Sequence, residues 1–179
     1  MPIHAMIDIE TLGTCIGSQI ISVGAVKFDP STKEDPFDEF YFRLDIDDQH
    51  NRGFITEKDT LDWWGTQDQD VIFSTFNPEG RVNPSKMFTE LRKWYAGCTG
   101  VWSQGTTFDV TLLEFMSKKY DTSTPWKFWE VRDSRTLFGL LPNDPRKKYT
   151  FSAHNALEDS RYQAKAVQDA LSDLGVKLQ

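Results

Sequence analysis

Cysteine is scarce in this chain: two residues, Cys15 and Cys98, in 179. Two cysteines cannot form the framework of a small disulfide-stapled domain, and no Cys spacing of the zinc-binding kind is present. Long apolar runs are absent as well; no stretch approaches the about 20 residues that a membrane span needs. The amino terminus, Met1-Pro2-Ile3-His4-Ala5, enters a strand-like pattern at once, with no basic segment and apolar signal region. The expectation is a cytoplasmic chain with no membrane attachment. Positive charge is in deficit: 20 Lys and Arg against 27 Asp and Glu leave a formal charge of -7. That argues against a protein that grips long duplexes by phosphate neutralisation alone. Nucleic acid stays possible, because clustered carboxylates reverse their local sign once they hold divalent cations. There is no internal repeat and no low-complexity segment. A length of 179 is ample for one core and short for two, so a single domain over residues 1–179 is expected.

Aromatics are plentiful, with six Trp and thirteen Phe. They are compatible with an interface between copies without demanding one. Ile3 to Glu10 alternates Ile3, Ala5, Ile7 and Ile9 with His4, Met6, Asp8 and Glu10, as a strand covered on both faces would. Ile20 to Phe28 and Phe37 to Leu44 read as further strands, and the short connections favour an antiparallel meander. Thr56 to Gly65 reads as a short helix and Gln67 to Asn83 as irregular, with Asn77-Pro78 and Glu79-Gly80 as breakers. Pro84 opens a helix. Val101 to Ser103 reads as a strand, about Thr107 to Lys119 as a helix, Lys127 to Val131 as a strand and Ser134 to Leu141 as a helix. A long helix from about Asn155 to Leu174 stops at Gly175. Three antiparallel strands followed by alternating helices and strands give an α/β domain with a mixed sheet.

Four acids stand out. Asp8 and Glu10 are two apart on a strand and point to one face; taken alone they could be a solvated strand end. Asp109 shares a helix face with Leu112, Leu113 and Met116, or it could simply favour the helix start as a first-turn acid. Asn155 with Glu158 three later fits a capping box, which puts Asp159 on the face of Tyr162, Ala166 and Ala170. A carboxylate buried there needs a cation or a donor. His154 falls on the loop just before that helix, where it is either a surface histidine or a base. Oxygen ligands of this kind select Mg²⁺ or Mn²⁺. Two such cations about 4 Å apart activate water and stabilise a leaving oxygen, and a histidine that titrates near neutrality suits the proton.

These residues carry a resemblance. Asp8-Ile9-Glu10-Thr11, then Gly105-Thr106-Thr107-Phe108-Asp109, then His154 followed five later by Asp159 resemble the three motifs of the DEDD 3′–5′ exonucleases. The branch is the one marked by a histidine, on the ribonuclease-H-like fold. Ile21 to Val26, Trp63-Trp64, Pro125 to Trp129 with Arg132-Asp133, and His154-Asn155-Ala156-Leu157 are most similar to its phage and prophage group and to related bacterial exoribonucleases. The resemblance implies a mixed sheet of three antiparallel strands followed by parallel ones, with helices on both faces. It implies two Mg²⁺ or Mn²⁺ ions. Asp8 would bridge them, Glu10 and Asp159 would complete the shell of the first ion, and Asp109 would hold the second through water. His154 would deprotonate the attacking water, while Thr11 and Leu12 would line the pocket of the terminal nucleotide. The partners implied are a single-stranded or frayed 3′ end of DNA or RNA and a nucleoside monophosphate product, in a bacterial or phage-infected cytoplasm.

Trp63 and Trp64 could stack on bases; being adjacent on a helix, one should be core and the other accessible. Phe108 could be core or touch a base. Arg146-Lys147-Lys148 reads as a solvated face or as a phosphate contact. Arg132 and Arg135 flank Asp133, which allows a structural ion pair or a substrate contact. Two rivals share the acids: a silent nucleic-acid-binding or assembly module on the same fold, and an endonuclease, which would not need the His154 and Asp159 spacing.

Overall fold

The computed structural model describes residues 2–149, 154–176 and 178. Ala153, at the head of the histidine motif, lies outside them. Strands β1 (Ile3–Thr11), β2 (Ile20–Phe28) and β3 (Phe37–Arg43) form an antiparallel meander, and β4 (Cys98–Ser103) and β5 (Val131–Asp133) add parallel to β1. The order across the sheet is β3-β2-β1-β4-β5. The switch from antiparallel to parallel follows from connection length. Short turns join the first three strands, whereas β4 and β5 are each reached through helices.

Both faces of the sheet are covered, as the alternation in β1 requires. Ala5, Ile7 and Ile9 pack with Val23, Ala25, Met87, Leu91 and Leu113 under α4 (Pro84–Tyr95) and α5 (Asp109–Lys119). Met6, Val26, Phe28 and Trp102 pack on the other face under α6 (Ser134–Phe138) and α7 (Ala156–Leu174). Leu12, Ile21 and Trp64 form a third, smaller cluster beneath α2 (Lys58–Trp64).

Two expectations about local structure need correction, and one short helix adds to them. The stretch Gln67–Asn83 contains a helix, α3 (Gln69–Phe76), whose Val71 and Phe76 pack on the Trp64 cluster. A six-residue helix, α1 (Ile46–Asn51), capped by the Asp45 side chain, follows β3 and includes His50. The strand expected at Lys127 to Val131 starts only at Val131; Phe128–Glu130 is a 3₁₀ turn, with Phe128 83% and Trp129 61% exposed. Those two rings stand in solvent, as a strand covered on both faces would not allow. Among the described residues no helix is long and apolar enough to cross a membrane.

Candidate active site

Asp8 and Glu10 lie near the carboxyl end of β1, on the face that α7 covers. Their partners across the ladder are Gly24 and Ser22, and a bulge interrupts the pairing just after Glu10. A bulge at a strand end re-aims the side chains beside it. Gly24 is required here by space. A Cβ at this position would stand under 3.0 Å from backbone atoms of Ala156 and Leu157, so only glycine lets the first turn of α7 rest on the sheet. Ser160 fastens the contact, its hydroxyl donating to the Gly24 carbonyl at 3.0 Å. Asn155 caps α7 by accepting from the Leu157 and Glu158 amides. The expected capping box stays half built, because the Glu158 carboxylate pairs with Arg161 instead. Asp159 is thereby held over β1.

One oxygen each from Asp8, Glu10 and Asp159 lie within 4.8 Å of one another. Asp109 comes from the opposite side of the sheet, at the start of α5, and is 3% exposed. Loss of solvation and mutual repulsion push these acids upward. Asp8 rises well above the usual carboxylate range through burial and then through Asp109, Glu10 and Asp159. Burial, with Asp159 and Asp109 beside it, takes Glu10 to about 8. Burial takes Asp109 to about 7 although backbone and Ser103 donors and Arg135 draw it down. Asp159 also reaches about 7, against the pull of the His154 backbone N–H. Asp159 Oδ1 is buried with no hydrogen-bond partner. A cluster of acids that includes an orphaned oxygen fits a divalent cation, which supplies the missing positive charge.

Gln163, one turn beyond Asp159, is 2% exposed and donates from Nε2 to Asp8 Oδ1 at 2.9 Å, while its own Oε1 has no partner. Sequence reasoning passed over this residue. The four-residue spacing from Asp159, which puts both on one helix face, was the available signal.

His154 adopts a left-handed backbone with φ 69°. Its ring stands edge-on to Trp63 at 4.7 Å and to Trp64 at 6.1 Å, and burial lowers its pKa. Trp64 is 2% exposed and donates to the Thr11 carbonyl at 2.9 Å, whereas Trp63 is 42% exposed. One is core and the other accessible. Trp63 lines a cavity of about 690 Å³ together with Glu10, Thr11, Glu57, Trp64 and Phe108. Phe108 also packs on the core. Leu12 is placed differently from expectation: it is buried on Ile21 and Trp64 and is not part of the cavity wall. Asp133 forms no ion pair with Arg132 or Arg135 among the described residues. Its oxygens accept from the Thr106 amide at 2.8 Å and the Thr136 amide at 2.9 Å, tying the loop before Asp109 to the start of α6. Arg146 and Lys148 are committed to Asp144, Asp169 and Asp173.

Known proteins share this arrangement of elements. Exonuclease X in complex with 5′ overhanging duplex DNA superposes with a TM-score of 0.63 at 13% identity, covering 97% of this chain and 94% of that one. The nuclease domain of 3′hExo, a DEDDh family member bound to rAMP, gives 0.62 at 15%, covering 96% and 92%. E. coli exonuclease I with a dT13 oligonucleotide gives 0.65 at 14%, covering 98% of this chain but 43% of that longer one. These likenesses establish the ribonuclease-H-like fold. In sequence, an exodeoxyribonuclease of Enterobacteria phage T4 is 28% identical over 193 residues, covering 86% of this chain and 82% of the phage protein. Residues 3–171 match the 3′–5′ exoribonuclease Rv2179c-like domain. The chain belongs to that family and is a 3′–5′ exonuclease.

Proposed function

We propose that this protein removes nucleotides one at a time from an unpaired 3′ end of DNA or RNA and releases 5′-mononucleotides. The observation that carries the reading is the convergence of Asp8, Glu10 and Asp159 within 4.8 Å, together with a buried oxygen of Asp159 that has no donor. Asp8, Glu10 and Asp159 would hold one Mg²⁺ or Mn²⁺, and Asp109 with Asp8 a second. When bound, the pair would lower the pKa of water and stabilise the leaving 3′ oxygen.

The chain's own groups do the rest. His154 takes the proton of the attacking water on an imidazole nitrogen; its lowered pKa keeps it neutral and ready at physiological pH. Trp63 and Phe108 offer apolar walls to the terminal base, and Thr11 and Glu10 face its sugar from β1. Leu12 acts from behind, by packing on Trp64. A base still paired in a duplex cannot enter such a pocket, which favours single-stranded or frayed ends. The phage relative supports action in a bacterial or phage-infected cytoplasm, within a single catalytic domain.

The test uses RNA and DNA oligonucleotides, single- and double-stranded and labelled at the 5′ end, with Mg²⁺, Mn²⁺ or chelator. Stepwise shortening that requires the metal is expected, with single strands cut faster than blunt duplexes. Internal fragments would show an endonuclease. Bound but intact strands would show a silent module and overturn the proposal.

A further inference from the structure

A polyanionic strand has to reach a chain of net charge -7 at the place where four of its acids meet. That approach calls for a cation not already neutralised by a neighbour. Most basic side chains near the site are neutralised. Lys58, on the cavity wall, holds Asp62 at 2.5 Å. Arg161 on α7 holds Glu39 at 2.5 Å and also pairs with Glu158. Arg146 lies 2.6 Å from Asp144, and Lys148 is shared between Asp169 and Asp173.

Arg135 differs. It is exposed on α6 and forms no ion pair among the described residues. Asp133, two residues earlier, spends its oxygens on Thr106 and Thr136. One Arg135 donor, Nη2, is fixed to the Gln104 carbonyl at 3.1 Å. That contact orients the guanidinium and leaves its other donors free for an acceptor. The group lies against Gly105, whose absent Cβ would be 3.4–3.6 Å from it. The Gly105 carbonyl accepts in turn from the Asp109 amide at 3.3 Å. The cation is therefore anchored on the loop that delivers Asp109, and its field reaches that carboxyl.

We infer that Arg135 binds substrate: its guanidinium takes a phosphodiester of the strand whose 3′ end enters the carboxylate cluster. A planar, permanently charged fork suits a phosphate better than any other side chain. The inference rests on the exonuclease reading above. Gly105, at φ 113°, belongs to the same device, since a side chain there would be strained and would move the loop on which the guanidinium rests.

The test compares wild type, Arg135→Ala and Arg135→Lys on a 5′-labelled single strand in Mn²⁺. A matched set of strands each carries one uncharged methylphosphonate at successive linkages from the 3′ end. Loss of one charged hydrogen bond should raise the KM of Arg135→Ala about tenfold or more, exceeding any fall in kcat. The slope of log(kcat/KM) against log salt should shrink by about 0.7, the value for one phosphate of a single strand. Arg135→Lys should keep most of the slope. At one linkage the methylphosphonate penalty of the wild type should vanish in Arg135→Ala. Equal penalties in both proteins at every linkage would overturn the inference. So would a lowered Tm with an unchanged salt slope, which marks a mere brace for the Gln104 loop. Failure of the wild type to shorten the unmodified strand would instead remove the exonuclease reading itself.

Discussion

Gly24 and Ala156 touch backbone to backbone: the Cβ that Gly24 lacks would stand under 3.0 Å from the Ala156 carbonyl carbon. Gly24 is also the ladder partner of Asp8. The distance between the carboxylates of β1 and Asp159 on α7 is therefore set by a residue with no side chain.

Gly24→Ala should push α7 away from the sheet. Overpacking of this kind costs about 3 kcal/mol, at the upper end of its usual range, because the clashing atoms are backbone and cannot turn aside. Urea unfolding should show that loss, and any folded fraction should bind Mn²⁺ more weakly than wild type. Ser160→Ala removes the bond to the Gly24 carbonyl without adding bulk, so it should be milder, at about 1 kcal/mol.

The acids make stability depend on pH in an unusual direction. Glu10 is raised to about 8 and Asp109 and Asp159 to about 7, whereas in the unfolded chain they titrate near 4. Between those values the folded state holds protons that the unfolded state has shed. The contribution of these groups is thus full below about 4 and is lost as pH rises through about 7 to 8. A bound divalent cation replaces the protons. Calorimetry should find the rise in Tm on adding Mg²⁺ or Mn²⁺ larger at pH 8 than at pH 5.5. An equal rise at both would contradict the charge assignment.

Asp159→Asn should separate stability from activity. Without metal at pH 8 the variant should melt higher than wild type, because a buried carboxylate oxygen with no donor has gone. Cleavage should drop at least a hundredfold, beyond the 10–100-fold typical of residues that only support metal ligands. Gln163→Met removes such a support and should fall inside that range, with the loss appearing in Mn²⁺ affinity measured by titration calorimetry.

His154→Ala should reduce kcat by about 10²–10⁴, the usual contribution of a general base, with little change in metal binding. Burial lowers the histidine pKa, so the acid limb of kcat/KM in wild type should lie below about 6.5. The same variant should alter tryptophan fluorescence, since the ring stands against Trp63.

Trp63→Ala and Trp64→Ala should fail in different ways. Trp63 is accessible on the cavity wall, and losing one base stack should raise KM about tenfold with the fold intact. Trp64 is core, bonded to the Thr11 carbonyl, and its truncation should cost about 3–5 kcal/mol. Parallel melting curves and oligonucleotide kinetics distinguish the two.

Much of this was legible in the chain because the informative elements are governed by short-range rules. Period two in β1 put Asp8 and Glu10 on one face, and Asn155 marked the start of α7. Leu112, Leu113 and Met116 showed which way Asp109 faces, and all three are buried. What sequence could not supply was position across the sheet. Nothing local links Gly24 to Ala156 or Gln163 to Asp8, contacts that span more than a hundred residues. The resemblance implied a pocket role for Leu12, but its side chain is buried against Ile21 and Trp64, a contact across the fold that no local pattern shows. The helix α3 was hidden by the breakers that close it, Asn77-Pro78, and by an exposed Phe73 that blurs its apolar face.

The four acids are spread from residue 8 to residue 159, and α7 comes about fifty residues after Asp109. A growing chain on the ribosome therefore carries Asp8, Glu10 and Asp109 long before Asp159 and His154 are made. Until α7 settles on Gly24, Asp159 is not brought to Asp8 and Glu10, and the acid cluster stays incomplete. Assembly of the acid cluster is thereby tied to the docking of α7, a helix written near the end of this sequence.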